Sequence, residues 1–233
     1  MSLAERDVAL RELMDDPACD PDQLRATLRR FDTINRTLSG WGTVYRAHIR
    51  PHLASLGRPA RVLDLGCGGG DVVSRLARAA AQDGLDAEWV GVDPDPRAIE
   101  VARSRTPPPR TAFRCTDSAA LLAAGERFDL VLSNHVLHHL TPGELSSFTE
   151  ESRRLSRGIV LHSDIARSRT AYALYSIYIT PFAPGTFLRT DGLRSIRRSY
   201  RRAELGAVLG RPWRVETPFI FRVLAVAPGT ADD

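Results

Sequence analysis

Val62-Leu63-Asp64-Leu65-Gly66-Cys67-Gly68-Gly69-Gly70-Asp71 runs from an apolar stretch, through one carboxylate, into a glycine loop. A short unbroken apolar run reads as a strand buried on both faces, the kind found in a parallel sheet. Glycines after it permit a sharp turn and bring bare backbone against a ligand. The residues from Asp71 onward carry Val72, Val73, Leu76, Ala79 and Ala80 at helical spacing. The amides at the start of that helix favour a polar or anionic ligand group. The local reading is strand, ligand-binding loop, helix. The dinucleotide fingerprint Gly-x-Gly-x-x-Gly does not fit, because the sixth position counted from Gly66 is Asp71.

Outward from this stretch the pattern alternates. Further strands are predicted at 88–93, 111–115, 128–133 and 159–162, with helices at 71–82, 96 to before Pro107, 118–124 and 142–155. Such alternation gives a parallel sheet with crossover helices. It then breaks. Residues 171–188 carry no charge and much aromatic surface, and Pro181 and Pro184-Gly185 interrupt them, so they read as a helix and loop inserted after the fifth strand. A last helix at 201–210 and two closing strands, 213–218 and 219–227, read as antiparallel, complete the pattern.

Before residue 58 the chain is helical in pattern. A helix is expected at 3–14, stopped by Asp15-Asp16-Pro17. A second starts at the Asp20-Pro21 cap and runs to about Arg30, and a third, bent at Pro51, covers 41–56. Residues 1–57 form an extension that either caps the domain by packing or closes over a ligand as a lid. Residues 58–233 form the main domain, with the insertion at about 168–195.

Composition narrows the class. With 233 residues, 43% hydrophobic and 26% charged, the chain suits one soluble α/β domain with additions. No apolar run is long enough to span a membrane, and Met1–Asp22 lacks the apolar core of a signal peptide, so a cytoplasmic location is expected. Cys19, Cys67 and Cys115 are far apart and show neither disulfide nor zinc spacing. All 32 basic residues are arginine, and the net charge is +4. Eleven arginines but only Asp164 and Asp191 among acids fall between 153 and 202. That segment reads as a basic face, for an anionic substrate, a membrane surface or RNA, or as an ordinary solvated face.

The spacing Asp64-x-Gly66-x-Gly68-x-Gly70 resembles motif I of the class I S-adenosylmethionine-dependent methyltransferases, and the resemblance covers most of residues 60–165. It implies a Rossmann-like sheet of seven strands, mostly parallel with one antiparallel strand near the C-terminus. It further implies S-adenosyl-L-methionine as donor and S-adenosyl-L-homocysteine as product. Asp64, Gly66, Cys67 and Gly68 would meet the amino-acid end of the donor. Asp93, closing the second strand, would take the ribose hydroxyls, with Pro94 beside the adenine; an N-cap is its alternative role, which Asp95 fills equally well. Asp117 and Ser118 after the third strand would meet the adenine, or Asp117 caps the next helix. Ser133 and His135 after the fourth strand would lie near the transferred methyl.

Ser133-Asn134-His135-Val136-Leu137-His138-His139-Leu140 holds three histidines in five residues. No carboxylate stands at ligand spacing beside them, so no metal is expected, and His138 and His135 are the candidate general bases. Tyr45, His162, Tyr172, Tyr175 and Phe187 are candidates for an aromatic acceptor site, or packing residues. The resemblance extends loosely to bacterial enzymes acting on quinone precursors and phenols. The expected activity is therefore O-methylation of a phenolic or quinone-like small molecule, with C- or N-methylation open. The alternatives are an RNA methyltransferase using the 153–202 face, disfavoured by the lack of an Asn-Pro-Pro-Tyr-like motif, and a module that binds donor without turnover. Peripheral membrane contact remains a possible partner role, and no motif sets the oligomeric state.

Overall fold

The computed structural model describes residues 3–231. Seven strands form one sheet in the order β3-β2-β1-β4-β5-β7-β6. They are β1 (Ala60–Leu65), β2 (Ala87–Asp93), β3 (Thr111–Cys115), β4 (Phe128–Asn134), β5 (Ser156–Ile165), β6 (Arg214–Glu216) and β7 (Arg222–Pro228). β1 to β5 are mutually parallel, while β7 runs antiparallel to both β5 and β6. The expected seven-stranded sheet with one reversed strand is what forms.

The central strands are apolar on both faces because helices cover both. On one face Val62, Trp89, Leu130 and Leu132 pack with Val44, Ile49, Val73, Leu76 and Ile99. On the other Leu63, Leu65, Val90 and Val131 pack with Leu121 and Leu155. The crossover helices are α4 (Asp71–Gln82), α5 (Pro96–Ser104), α6 (Ser118–Ala123) and α7 (Pro142–Leu155). Helix α7 starts with a full capping box, Thr141 with Glu144, and Pro142 in its first turn.

The parallel topology puts the carboxyl ends of β1, β2 and β4 along one edge, where ligands bind in open α/β sheets. β7 reaches the same edge from the opposite direction. Its first residue, Arg222, pairs with Ile165 at the far end of β5. A residue 157 positions after Leu65 therefore joins the loops that follow β1 and β4.

The extension departs from the sequence reading in three places. Residues 3–14 form no helix but an extended strap with turns. Its backbone groups find tertiary partners instead. The Leu13 and Met14 amides donate to Asp191, and carbonyls of Leu3, Ala4, Arg11, Met14, Asp16 and Pro17 accept from Arg167, Arg194, Arg201 and Arg97. Helix α1 (Pro21–Leu38) is capped by Asp20 as expected, but continues to Leu38 because Phe31 and Ile34 extend its apolar stripe against the domain. The third segment is continuous: α2 (Trp41–Val44), a π turn (Tyr45–Ile49) and α3 (Arg50–Ser55). The Arg50 amide reaches back to the Tyr45 carbonyl, and the widened turn accommodates Pro51 with no break.

The insertion forms α8 (Arg169–Tyr178), a 3₁₀ turn (Thr180–Phe182) and α9 (Leu188–Arg198), followed by α10 (Arg202–Leu209). The arginine-rich segment is largely internal glue, which corrects the basic-face reading. Arg167 and Arg198 are buried. Arg194, Arg201 and Arg202 donate to backbone carbonyls, and Arg197 pairs with Asp7. A strap without regular structure leaves carbonyls to satisfy, and the guanidinium fork suits that task. Among the described residues no helix is long and apolar enough to cross a membrane.

Candidate functional site

A cavity of about 800 Å³ opens at the carboxyl edge of the sheet. Its floor is the glycine loop and the end of β2: Asp64, Gly66, Cys67, Gly68, Asp93 and Pro94. Gly66 has φ 70°, and a Cβ there would stand 2.7 Å from Val136, so only glycine lets the loops after β1 and β4 approach this closely.

Three carboxylates gather at the floor. Asp93 accepts from the Gly68 amide and the Asp95 amide, at 2.9 Å each, and keeps acceptor capacity toward the cavity. Asp71 is buried and accepts from Asn35 of α1. Asp64 is 1% exposed, and its Oδ1 has no hydrogen-bond partner. Burial, reinforced by Asp71 and Asp93, pushes the Asp64 carboxyl well above the ordinary carboxylate range. A buried carboxylate with an unpartnered oxygen is costly unless a donor or cation arrives to meet it. The floor is thus built for a ligand carrying positive charge and hydroxyls.

The far side of the cavity comes from the loop after β4 and the start of β7. His135 adopts a left-handed backbone, φ 61°, uncommon for a residue with a Cβ. Arg222 Nη1 donates to His135 Nε2, while Nη2 donates to Asn134 and Ser163. Burial and the neighbouring guanidinium hold the His135 imidazole well below its usual range, and a guanidinium donating to Nε2 leaves Nδ1 to carry the proton of the neutral ring.

His138 is the opposite case. It is buried, with Nδ1 2.8 Å from Asp164 and Nε2 3.1 Å from Glu12. Burial opposes its charge, but Asp164 and Glu12 outweigh burial and raise it to about 9. The two candidate bases are therefore poorly suited to that role near neutral pH. One is held neutral with a depressed proton affinity; the other already carries its proton. These surroundings disfavour either imidazole as the group that removes the acceptor's proton.

The roof is apolar and aromatic. Leu28, Phe31, Ile34 and Leu38 of α1 face Leu174, Tyr175, Ile177 and Tyr178 of α8, with Phe219 to Phe221 alongside. Tyr175 Oη donates to the Leu188 carbonyl, and Tyr178 Oη meets Thr37 Oγ1 at 2.9 Å.

Several expected residues stand elsewhere. His162 is sealed between Ser133 and Ser152, 2.8 Å from each, and burial lowers it to about 3; it and Ser133 lie behind the cavity wall. Tyr45 turns away from the site and donates to Asp83 at 2.8 Å. Phe187 packs under α1 with Leu24, Leu28 and Val101. Tyr172 is half-buried and Asp117 and Ser118 lie off the cavity; Asp117 caps α6, and Ser118 hydrogen-bonds Glu151. Sequence reasoning did not single out Glu12, Asn35, Asn134, Asp191 or Arg222. Only the Asn134 position, inside the histidine motif, carried a local signal.

Residues 62–158 match a family model described as a methyltransferase domain. The chain is 33% identical over 154 residues to a ubiquinone biosynthesis O-methyltransferase of Azorhizobium caulinodans, covering 63% of this chain and 57% of that protein. It is 36% identical over 118 residues to the protein of that name in Cereibacter sphaeroides, covering 49% and 44%. The chain thus spans about half the length of the curated relatives it matches. Among solved structures, the plantazolicin methyltransferase BpumL in complex with SAH superposes with a TM-score of 0.61 at 13% identity, covering 89% of this chain and 96% of that one. At that identity the likeness is one of fold.

Proposed function

We propose that this chain, whose residues 62–158 match the methyltransferase-domain family model and whose sheet has the strand order of the class I S-adenosylmethionine-dependent methyltransferases, methylates a phenolic or quinone-like small molecule on oxygen. The observation that carries the donor half is the unpartnered Asp64 carboxylate beneath the glycine loop. S-adenosylmethionine bears an ammonium and a sulfonium, and its ribose offers two hydroxyls. Asp64 fits the cationic amino-acid end, and Asp93, with acceptor capacity left over, fits the ribose. When bound, the donor supplies a methyl activated by its sulfonium.

What the protein adds is placement. The apolar roof suits a lipophilic aromatic acceptor, and the cavity volume falls in the range of roughly 300–1,000 Å³ usual for small-molecule sites. His135, its Nε2 taken by Arg222, presents Nδ1–H as a hydrogen-bond donor. A site with a protonated His138 and a weakly basic His135 favours an acceptor that sheds its own proton, as an acidic phenol does. Arg167, Arg198 and Arg202 of the arginine-rich segment are occupied within the fold. Support for the acceptor class also comes from the names of the curated relatives.

Helix α1 and the strap cover the donor floor, and we assign them as a lid. Mass spectrometry of acceptor mixtures (phenols, quinols and tRNA) with a labelled methyl donor tests the whole reading. Label on a phenolic oxygen is expected; label confined to RNA overturns it.

A further inference from the structure

We propose that Glu12, His138 and His139 form a site for one divalent transition-metal ion that clips the N-terminal strap to the loop after β4. His138 Nε2 stands 3.1 Å from Glu12 Oε1, and His139 Nε2 stands 3.7 Å from the same oxygen. Ligands about 2.1 Å from a tetrahedral ion are separated by about 3.4 Å, so these spacings bracket what such an ion requires.

The surroundings are those of a built site. Each ring turns its other nitrogen to a carboxylate: His138 Nδ1 to Asp164 at 2.8 Å, His139 Nδ1 to Asp15 at 3.1 Å. Outer carboxylates of this kind fix the tautomer and direct the Nε2 lone pair at a metal. Ser195 Oγ holds Glu12 at 2.7 Å, and Arg198 donates to the backbone carbonyls of both histidines. Glu12 and His138 are buried, yet all three residues border the cavity. His138 Nε2 and Glu12 Oε1 lie within hydrogen-bond distance of each other, so an ion held by both would displace a proton held between them.

The donor set selects the ion. Two imidazoles and one carboxylate suit zinc, cobalt or nickel; magnesium and calcium prefer shells of oxygen. Glu12 belongs to the strap and both histidines to the sheet edge, so an ion there would hold the strap down over the site. This goes beyond the methyl-transfer reading and stands on ligand geometry alone.

The test titrates the untagged, metal-stripped full chain with Co²⁺ and then Zn²⁺. A single Co²⁺ per chain is expected, with visible bands of a four- or five-coordinate ion, no thiolate charge-transfer band, and displacement by Zn²⁺. Glu12→Gln and His139→Gln should each weaken binding at least about tenfold, and Asp15→Asn by on the order of tenfold. Hydrogen exchange of residues 3–20 should slow when Zn²⁺ is added. His139 is partly exposed, so its variant stays informative if Glu12→Gln does not fold. Absence of stoichiometric binding, a thiolate band, affinity unchanged in both ligand variants, or strap exchange indifferent to Zn²⁺ overturns the proposal. Calorimetry of S-adenosylhomocysteine on the metal-free chain reports the donor site separately, so failure of one reading is not mistaken for failure of the other.

Discussion

Asn35 Nδ2 donates to Asp71 Oδ2 at 2.9 Å, joining the N-terminal helix to the first residue of the helix that leaves the glycine loop. Both side chains are buried. Burial raises the Asp71 carboxyl, and the Asn35 amide opposes that rise. Asn35→Ala leaves a buried carboxylate short of a donor, and a loss of about 1–3 kcal/mol is expected in thermal melts. S-adenosylhomocysteine affinity should fall with it. Unchanged Tm and affinity would make α1 a passive cover.

Asp64 trades stability for binding. Its folded pKa is raised, so the folded chain holds a proton that the unfolded chain has released, and metal-free, donor-free stability falls as pH rises above the ordinary carboxylate range. Asp64→Asn removes that slope. At neutral pH its Tm should rise, by roughly 2–4 °C for each kcal/mol gained, while donor affinity drops. A variant that melts lower than the parent at pH 7 and binds donor equally well contradicts the role given to this carboxylate.

Asp93→Ala should weaken donor binding by on the order of tenfold or more, from the loss of charged hydrogen bonds. The comparison to make is with Asp117→Ala, which removes the cap of α6 at a position off the cavity. Calorimetry should show a large effect for the first and a small one for the second.

Gly192→Ala probes the roof. A Cβ there would lie 2.2 Å from Tyr175 Oη, so the ring must leave the Leu188 carbonyl. Overpacking of this kind costs about 1–3 kcal/mol. The Michaelis constant for the acceptor should rise while donor affinity holds. Equal effects on both ligands would mean that α8 supports the whole cavity.

The pH profile of kcat/KM should show no limb from His135, whose imidazole is held well below its usual range by burial and Arg222. The ascending limb should instead track the phenol pKa across a series of substituted acceptors. A limb near pH 6–7 that stays fixed across the series, and is lost in His135→Gln, would restore a histidine base.

The sheet and most of its helices were legible in the sequence because their signals are local. Apolar-rich runs marked β1, β2 and β4, the caps at Asp20 and Asp95 marked helix starts, and the glycine spacing marked the loop. β5 was read too short because Ser163 and Asp164 are polar yet buried, sealed by partners from other elements. The strap was misread as a helix for a related reason: its backbone partners are Asp191 and arginines far along the chain.

By itself the sequence determined the order of strands and helices, the glycine loop and the carboxylates that end β1 and β2, since each depends on spacings of a few residues. Only the tertiary structure decided what the histidines do. His138 gains its charge from Glu12 and Asp164, His135 loses basicity to Arg222, and His162 is sealed between two serines. Those partners lie from 10 to 126 positions away in the chain. A side chain's protonation follows from the charges and solvent around it, and the folded topology, through the reversed β7 and the strap, is what brings them there.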